Sequence, residues 1–278
     1  MIYLETVEGS AATYLYLWAS WPARRQVRLL ESLSREPLGR GADNVGWHVI
    51  AAAGAGSMLL YGLVDVGATR CGGPEDFVVC SHFAPRQGWT GRVARRQGVR
   101  WGGPPPALLA VAGDRWVVVP ADRAEREDGI PRPEFGGTVQ IRRVGHGVTA
   151  SFAPAGVVQA VALSSRVVAV LVDDGNQRRV ERYSIQGQLL GSTAVPDAAS
   201  DLVMEGDSIV YRAGVRIRHL SAATGTDLPL ATAARMPVGL SIDRSRVAWA
   251  ENFVVGRERG SGRLKYRSRV RVVTFAAP

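Results

Sequence analysis

Lysine is almost missing from this chain. Of 34 basic residues in 278, only Lys265 is a lysine, and the rest are arginine. With 25 acidic residues the formal net charge is +9. Such a bias, beside abundant Ala, Val and Gly, is what a GC-rich coding supply produces. The arginines are scattered over the whole chain, which reads first as solvated faces and second as an anion or nucleic-acid surface. Cysteine is scarce: there are two, Cys71 and Cys80. Two cysteines alone make no zinc site, and His82 nearby does not complete a ligand set. They form a disulfide in an oxidising compartment or stay two inert thiols in a reducing one.

No run of about 18 apolar residues exists, which excludes a transmembrane helix. Residues 1–5 show neither a basic n-region nor an apolar h-region, so no signal peptide is visible; a removed one would make the chain periplasmic or secreted. Helical periodicity is nearly absent as well. Only residues 26–35, with Val27, Leu30 and Leu33, admit a short amphipathic helix, and a strand followed by a turn fits them better. Disorder is excluded, because 46% of the residues are hydrophobic and 21% charged.

What is present is a repeat. A short apolar strand, a turn of Gly, Asp or Ser and a second apolar strand are followed by a polar loop, an alternating strand and a tight hairpin. The clearest copy is 157–163 and 166–172 about Ser164-Ser165. Others lie at 201–211, 238–250, 107–119, 47–61 and 2–18. Leu15, Leu59, Val117, Val167, Ile209 and Val247 are equivalent anchors, 44, 58, 50, 42 and 38 residues apart, against about 40–50 for a four-stranded blade. The first two strands of each unit are apolar at nearly every position, so both their faces are covered. The third strand alternates, as in 138–142, 180–185, 215–220 and 269–273, so one of its faces is wet.

Oily inner strands and amphipathic outer strands are what a radial stack of sheets demands. The expected fold class is therefore all-β, a six-bladed β-propeller of four-stranded antiparallel blades. Residues 1–278 form a single domain, with blades near 1–41, 42–103, 104–154, 155–195, 196–235 and 236–278. The last blade is expected to be one strand short, its edge capped by another segment or by an earlier start of the chain. A pair of β-sandwiches would not readily produce six similar units.

Hairpin signals sit at Gln186-Gly187-Gln188 and Thr224-Gly225-Thr226. Residues 220–228 resemble the strand–turn–strand of WD-like and quinoprotein-like propeller repeats. More widely, the chain resembles the six-bladed TolB-like propellers common in secreted bacterial proteins. It departs from better-marked families in having no Trp-Asp strand ending and no Ser-x-Asp-x-Gly-x-Thr-Trp box. The resemblance implies a fold and not an activity.

In such a fold the b–c and d–a connections share one face, and the a–b and c–d turns share the other. Insertions gather on the first face: 67–76, 120–137 and 251–267 between second and third strands, and the 98–106 link. Insertions on one face of a repeat array mark a binding face. The candidate binding residues there are Arg100, Trp101, Arg126, Phe135, Phe253, Arg257 and Arg259, because arginine beside exposed aromatics is the composition of protein-binding hot spots.

No catalytic constellation emerges. His48, His82, His146 and His219 do not converge on one ring position, and no nucleophile elbow, P-loop or dinucleotide fingerprint is present. Asp43, Asp197 and Asp201 are the acids near the inner-strand mouths, and turn capping explains each as well. No cofactor or metal is implied. Three readings follow: a non-enzymatic module with a protein partner; a small-ligand-binding or lactonase-like hydrolytic propeller acting at the channel mouth; and an anion or nucleic-acid binder using Arg267, Arg269 and Arg271.

A Cys71–Cys80 bridge would close the 67–76 insertion and contribute about 2–3 kcal/mol. Thiol titration of the denatured, unreduced protein decides between the two states: no free thiol means the bridge, and two free thiols exclude it.

Overall fold

Every stretch expected to be apolar on both faces forms an extended strand. The computed structural model describes residues 2–8, 13–21, 26–35, 46–55, 58–70, 79–87, 106–120, 136–143, 145–257 and 264–275. The described strands are β1 (Ile2–Glu8), β2 (Thr13–Trp21), β3 (Gln26–Arg35), β4 (Gly46–Ala55), β5 (Met58–Arg70), β6 (Val79–Gln87), β7 (Pro106–Ala112), β8 (Arg115–Pro120), β9 (Val139–Arg143) and β10 (Gly147–Phe152). They continue with β11 (Val157–Leu163), β12 (Val167–Asp173), β13 (Arg178–Ser184), β14 (Leu189–Val195), β15 (Ala199–Glu205), β16 (Ser208–Ala213), β17 (Arg216–Ser221), β18 (Asp227–Thr232), β19 (Pro237–Asp243), β20 (Arg246–Arg257) and β21 (Leu264–Thr274). Gln26–Arg35 is strand throughout and not helix.

The strands form six sheets in succession, each an antiparallel meander in chain order, and the fold is that of an all-β, six-bladed propeller. The sheets β7–β10, β11–β14 and β15–β18 have four strands each. Among the described residues β1–β3, β4–β6 and β19–β21 have three. The six anchor residues all fall in the second strand of their sheet. Two compact units are present, Met1–Ala107 with Ala121–Arg132, and Leu108–Pro120 with Pro133–Pro278.

In the second unit the sheets are layered in chain order. Strand β12 shows why its sequence has no polar side. Val168, Val170 and Val172 face Val117, Val119, Val139 and Ile141 of the preceding sheet. Val167, Ala169 and Leu171 face Leu202, Met204, Ile209 and Tyr211 of the following one. Strand β16 divides likewise, with Ile209 and Tyr211 turned back and Val210 turned forward onto Val247 and Trp249.

Sheet β19–β21 departs from the expected double burial. Ile242, Val247, Trp249 and Val273 pack on the preceding sheet. Val238, Val270 and Val272, aligned with Ala250 and Ala248 on the other face, are exposed. Within this unit only one neighbouring sheet covers β19–β21, so its apolar pattern is satisfied on one side.

Arginines pin the seams between sheets. Arg178 Nη1 donates to the Ala199 carbonyl at 2.6 Å, Arg179 Nη2 to Ala155 at 2.8 Å, and the buried Arg182 donates through Nη1 to Ala222 at 2.7 Å. Arg182 fits because two neighbours lack side chains. A Cβ on Gly191 would collide with its guanidinium, and one on Gly225, which turns the β17–β18 hairpin at φ +75°, would lie 3.2 Å from Nη2.

Truncating a doubly covered residue should cost far more than truncating a rim residue. Leu171→Ala is expected to lose about 2–5 kcal/mol, and Leu189→Ala, whose residue is exposed, no more than about 0.5 kcal/mol. Urea unfolding monitored by tryptophan fluorescence measures both. Equal losses would mean that β12 is not the covered centre of its sheet.

Candidate functional site

The expected loop at 251–267 is strand over 251–257 and 264–267, and this correction defines the site. β20 and β21 remain paired from Arg246↔Thr274 out to Arg257↔Leu264, with a bulge between Val254 and Gly256. The insertion is a two-stranded ribbon extending the last sheet beyond its first strand, β19. The apolar residues within the insertion explain it: Phe253, Val254, Val255, Leu264 and Tyr266 suit a pleated surface better than a solvated loop. The 67–76 insertion is corrected in the same way at its start, since Gly67–Arg70 pair with Val79–His82. Cys80 lies on β6 opposite Thr69. Cys71, Arg100, Trp101, Arg126, Phe135 and Arg259 lie outside the described residues.

Two candidate residues are placed by the ribbon, Phe253 and Arg257. Phe253 is half-buried. The Arg269 guanidinium lies 5.0 Å from its ring centroid and that of Arg235 5.9 Å, distances at which a cation is attracted to an aromatic face. Arg257 ends β20, is exposed, and stands opposite Leu264. Beyond these, the sequence reading missed Val254, Val255 and Tyr266, exposed by 56%, 58% and 60%. Their apolar character was the signal, hidden by reading the segment as charged loop.

Glu251 roots the ribbon. Its side chain is fully buried at the end of the β18–β19 link. One carboxylate oxygen accepts from Trp249 Nε1 at 3.1 Å and from the Ala234 amide at 3.1 Å. The other accepts from Arg269 Nη2 at 2.7 Å. The Arg269 hydrogen bond holds the carboxyl below the usual glutamate range; burial opposes this, and the Trp249 and Ala234 donors assist it. One buried acid thus fixes the arginine that flanks Phe253.

The remaining polar candidates lie apart from one another along the chain. Asp201, at φ 49° in a bulge of β15, pairs with Arg212. Asp197 is an exposed turn residue. His146 lies in the β9–β10 turn and is exposed, and His48 lies on β4. His219, on β17, packs against Phe275 with ring centroids 4.9 Å apart and planes tilted by 40°, and burial lowers its pKa. Tyr183 donates to Glu181 at 2.5 Å, and Glu181 also accepts from Arg179 at 2.7 Å. Among the described residues no group of three or more His, Cys, Asp or Glu is placed to hold a metal. No helix of the described residues is long and apolar enough to cross a membrane.

A cleft of about 620 Å³ opens among the turns at the opposite end of the sheets from the ribbon, lined by Glu205, Asp207, Ser208, Ser221, Thr224 and Arg244. Its two acids already have partners: Glu205 accepts from the Arg244 backbone amide, and Asp207 faces Arg166 at 3.6 Å.

No family model matches the chain, and no curated protein matches it. Among solved structures it is similar to a chain of the mitotic checkpoint complex, with 12% identity over 87% of this chain and 70% of that one, at a TM-score of 0.47. It is also similar to BamB from Moraxella catarrhalis, with 11% identity over 95% and 72%, at 0.42. A third likeness is to BBS1N in its complex with ARL6DN, with 12% identity over 89% and 75%, at 0.49.

The depressed carboxyl of Glu251 sets a pH dependence. Its contribution to stability is present above the ordinary carboxylate range and is lost as pH falls through its lowered folded-state value. Glu251→Gln is therefore expected to destabilise the protein at pH 7 and to differ less from the parent at pH 3. Urea unfolding at both pH values tests this, and an equal deficit at both would refute the role of the charge.

Proposed function

We propose that this chain is a non-enzymatic interaction module, and that the β20–β21 ribbon is part of its contact surface. The observation that carries the reading is the exposed apolar group Val254, Val255, Leu264 and Tyr266 on the paired strands β20 and β21. Water-exposed side chains of this size, grouped at the end of one element, cost solubility unless a partner covers them. Arginines share the ribbon with them: Arg257 stands opposite Leu264, and Arg267 and Arg269 lie on its other face beside Phe253. Apolar and aromatic residues beside arginine are the composition of binding hot spots. The Glu251 anchor supports the reading further, because a pre-ordered contact surface loses less entropy on binding.

Protein rather than small-molecule partners suit a surface made of exposed apolar residues on a two-stranded ribbon. Arg100, Trp101, Arg126 and Phe135, of the 98–106 and 120–137 insertions, are separate binding candidates on composition.

The test is capture of a partner from an extract treated with nuclease, at high salt, followed by Val254→Asp with Val255→Asp. The paired change is expected to weaken capture by at least about tenfold and to leave the melting temperature unchanged, since both residues are exposed. A partner held equally well by the changed protein would remove the ribbon from the contact surface.

A further inference from the structure

We infer that the outer edge of β21 is a docking edge for an acidic, extended segment of a partner protein, which adds to the sheet as its fourth strand. The inference rests on the ribbon's sheet being a contact surface and says what kind of segment it takes. In three sheets the place outside the third strand is filled, by β10 beside β9, β14 beside β13 and β18 beside β17. The sheet β19–β20–β21 ends at β21 among the described residues. Backbone N–H and C=O groups along such an edge form a template for one more strand. The edge is 11 residues long, whereas the fourth strands of the other sheets have six or seven.

Charge selects the occupant. Lys265, Arg267, Arg269 and Arg271 alternate along one face of β21, and Tyr266, Val270 and Val272 along the other, the last three 60%, 68% and 58% exposed. Among the described residues only Arg269 of the four cations has an acidic partner, Glu251. A strand carrying acids at alternate positions would meet this row across the edge, with its intervening apolar residues beside Val270 and Val272. The neighbouring sheet already does this within the chain: Asp227 of the fourth strand β18 holds Arg218 of the third strand β17 at 3.0 Å.

The same row argues against the other occupants. A second copy pairing edge to edge would bring two rows of arginine together, and like charges on neighbouring strands repel. A single-stranded nucleic acid could use the arginines, but it would leave the β21 backbone unpaired and Val270 and Val272 uncovered.

The experiment uses the full chain and four labelled probes at about 150 mM salt: an 11-residue peptide of alternating Glu and Val, matching β21 in length, a peptide of the same composition with the Glu residues in one block, an alternating Lys and Val peptide, and an oligothymidylate. Fluorescence anisotropy reads binding, and amide hydrogen exchange reads protection of residues 264–274. The alternating acidic peptide is expected to bind and to slow exchange along β21. The blocked peptide should bind at least about tenfold more weakly, and the lysine peptide not at all. Arg267→Glu with Arg271→Glu should weaken the acidic peptide by at least about tenfold and admit the lysine peptide.

Equal binding of the blocked peptide, binding without protection of β21, or tighter binding of the oligothymidylate would overturn the proposal. If the paired variant does not fold, the three peptides on the unmodified chain and the protection pattern decide alone. A chain that ignores the acidic peptide, yet loses a captured protein on Val254→Asp with Val255→Asp, overturns strand addition and leaves the ribbon reading standing. A chain that takes the peptide on β21 but keeps its captured protein after those changes sustains strand addition and overturns the ribbon as the contact.

Discussion

The central strands β12 and β16 are apolar on both faces, so each of their two sheets must have a sheet on either side. β12 states the constraint most directly: alternate residues enter two different cores, one with the sheet before it and one with the sheet after. Polar residues on either face would leave unsatisfied groups in a dry seam, at a cost of several kcal/mol each on alkane-like scales. Everything else follows from keeping that layering. Turns are short where sheets need only reverse, the third strands carry the polar load, and insertions are confined to the ends of the strands.

Arginine has an unexpected part in this. A solvated, codon-driven role accounts for Arg166 and Arg246, whose side chains are mostly exposed. It does not account for Arg178, Arg179 and Arg182, whose guanidinium groups close the seams by donating to carbonyls of neighbouring segments. A planar group with five donors suits that work better than an ammonium, because it can satisfy a carboxylate and a carbonyl together. Arg179 does so, reaching Asp174, Glu181 and the Ala155 carbonyl. The near-absence of lysine is thus compatible with the packing as well as with the genome.

The last sheet shows what happens where the constraint is met on one side only. Its inner face is filled by Val247, Trp249 and Val273 against β15–β18. Its second and third strands run on past β19 as a ribbon, rooted by the buried Glu251 and edged with arginine. Strand, anchor and exposed apolar residues belong to one continuous element, so a change at the root should be felt at the ribbon.

The sequence by itself determined most of the strands and their order, and that β12 and β16 are covered twice, but not that β19–β21 is covered on one face alone. Period-two alternation and doubly apolar runs are local patterns, and local backbone preference acts on them without long-range help. The anchors Leu15, Leu59, Val117, Val167, Ile209 and Val247 were legible for that reason, as were the turns at Gly187 and Gly225. The ribbon was not. Residues 251–257 and 264–267 mix charge with apolar residues, and a segment of that composition reads as loop until its partner strand is known. Register across 18 residues, from Glu251 to Arg269, decides that Phe253 lies under Arg269 and opposite Arg267. Glu251 likewise lay within the expected 251–267 insertion with nothing in the sequence to set it apart. Only the meeting of Trp249, the Ala234 amide and Arg269 around it made it a buried anchor. Side-chain chemistry along one strand is written locally, but the partners that neutralise, bury or expose it come from segments brought together by pairing and layering.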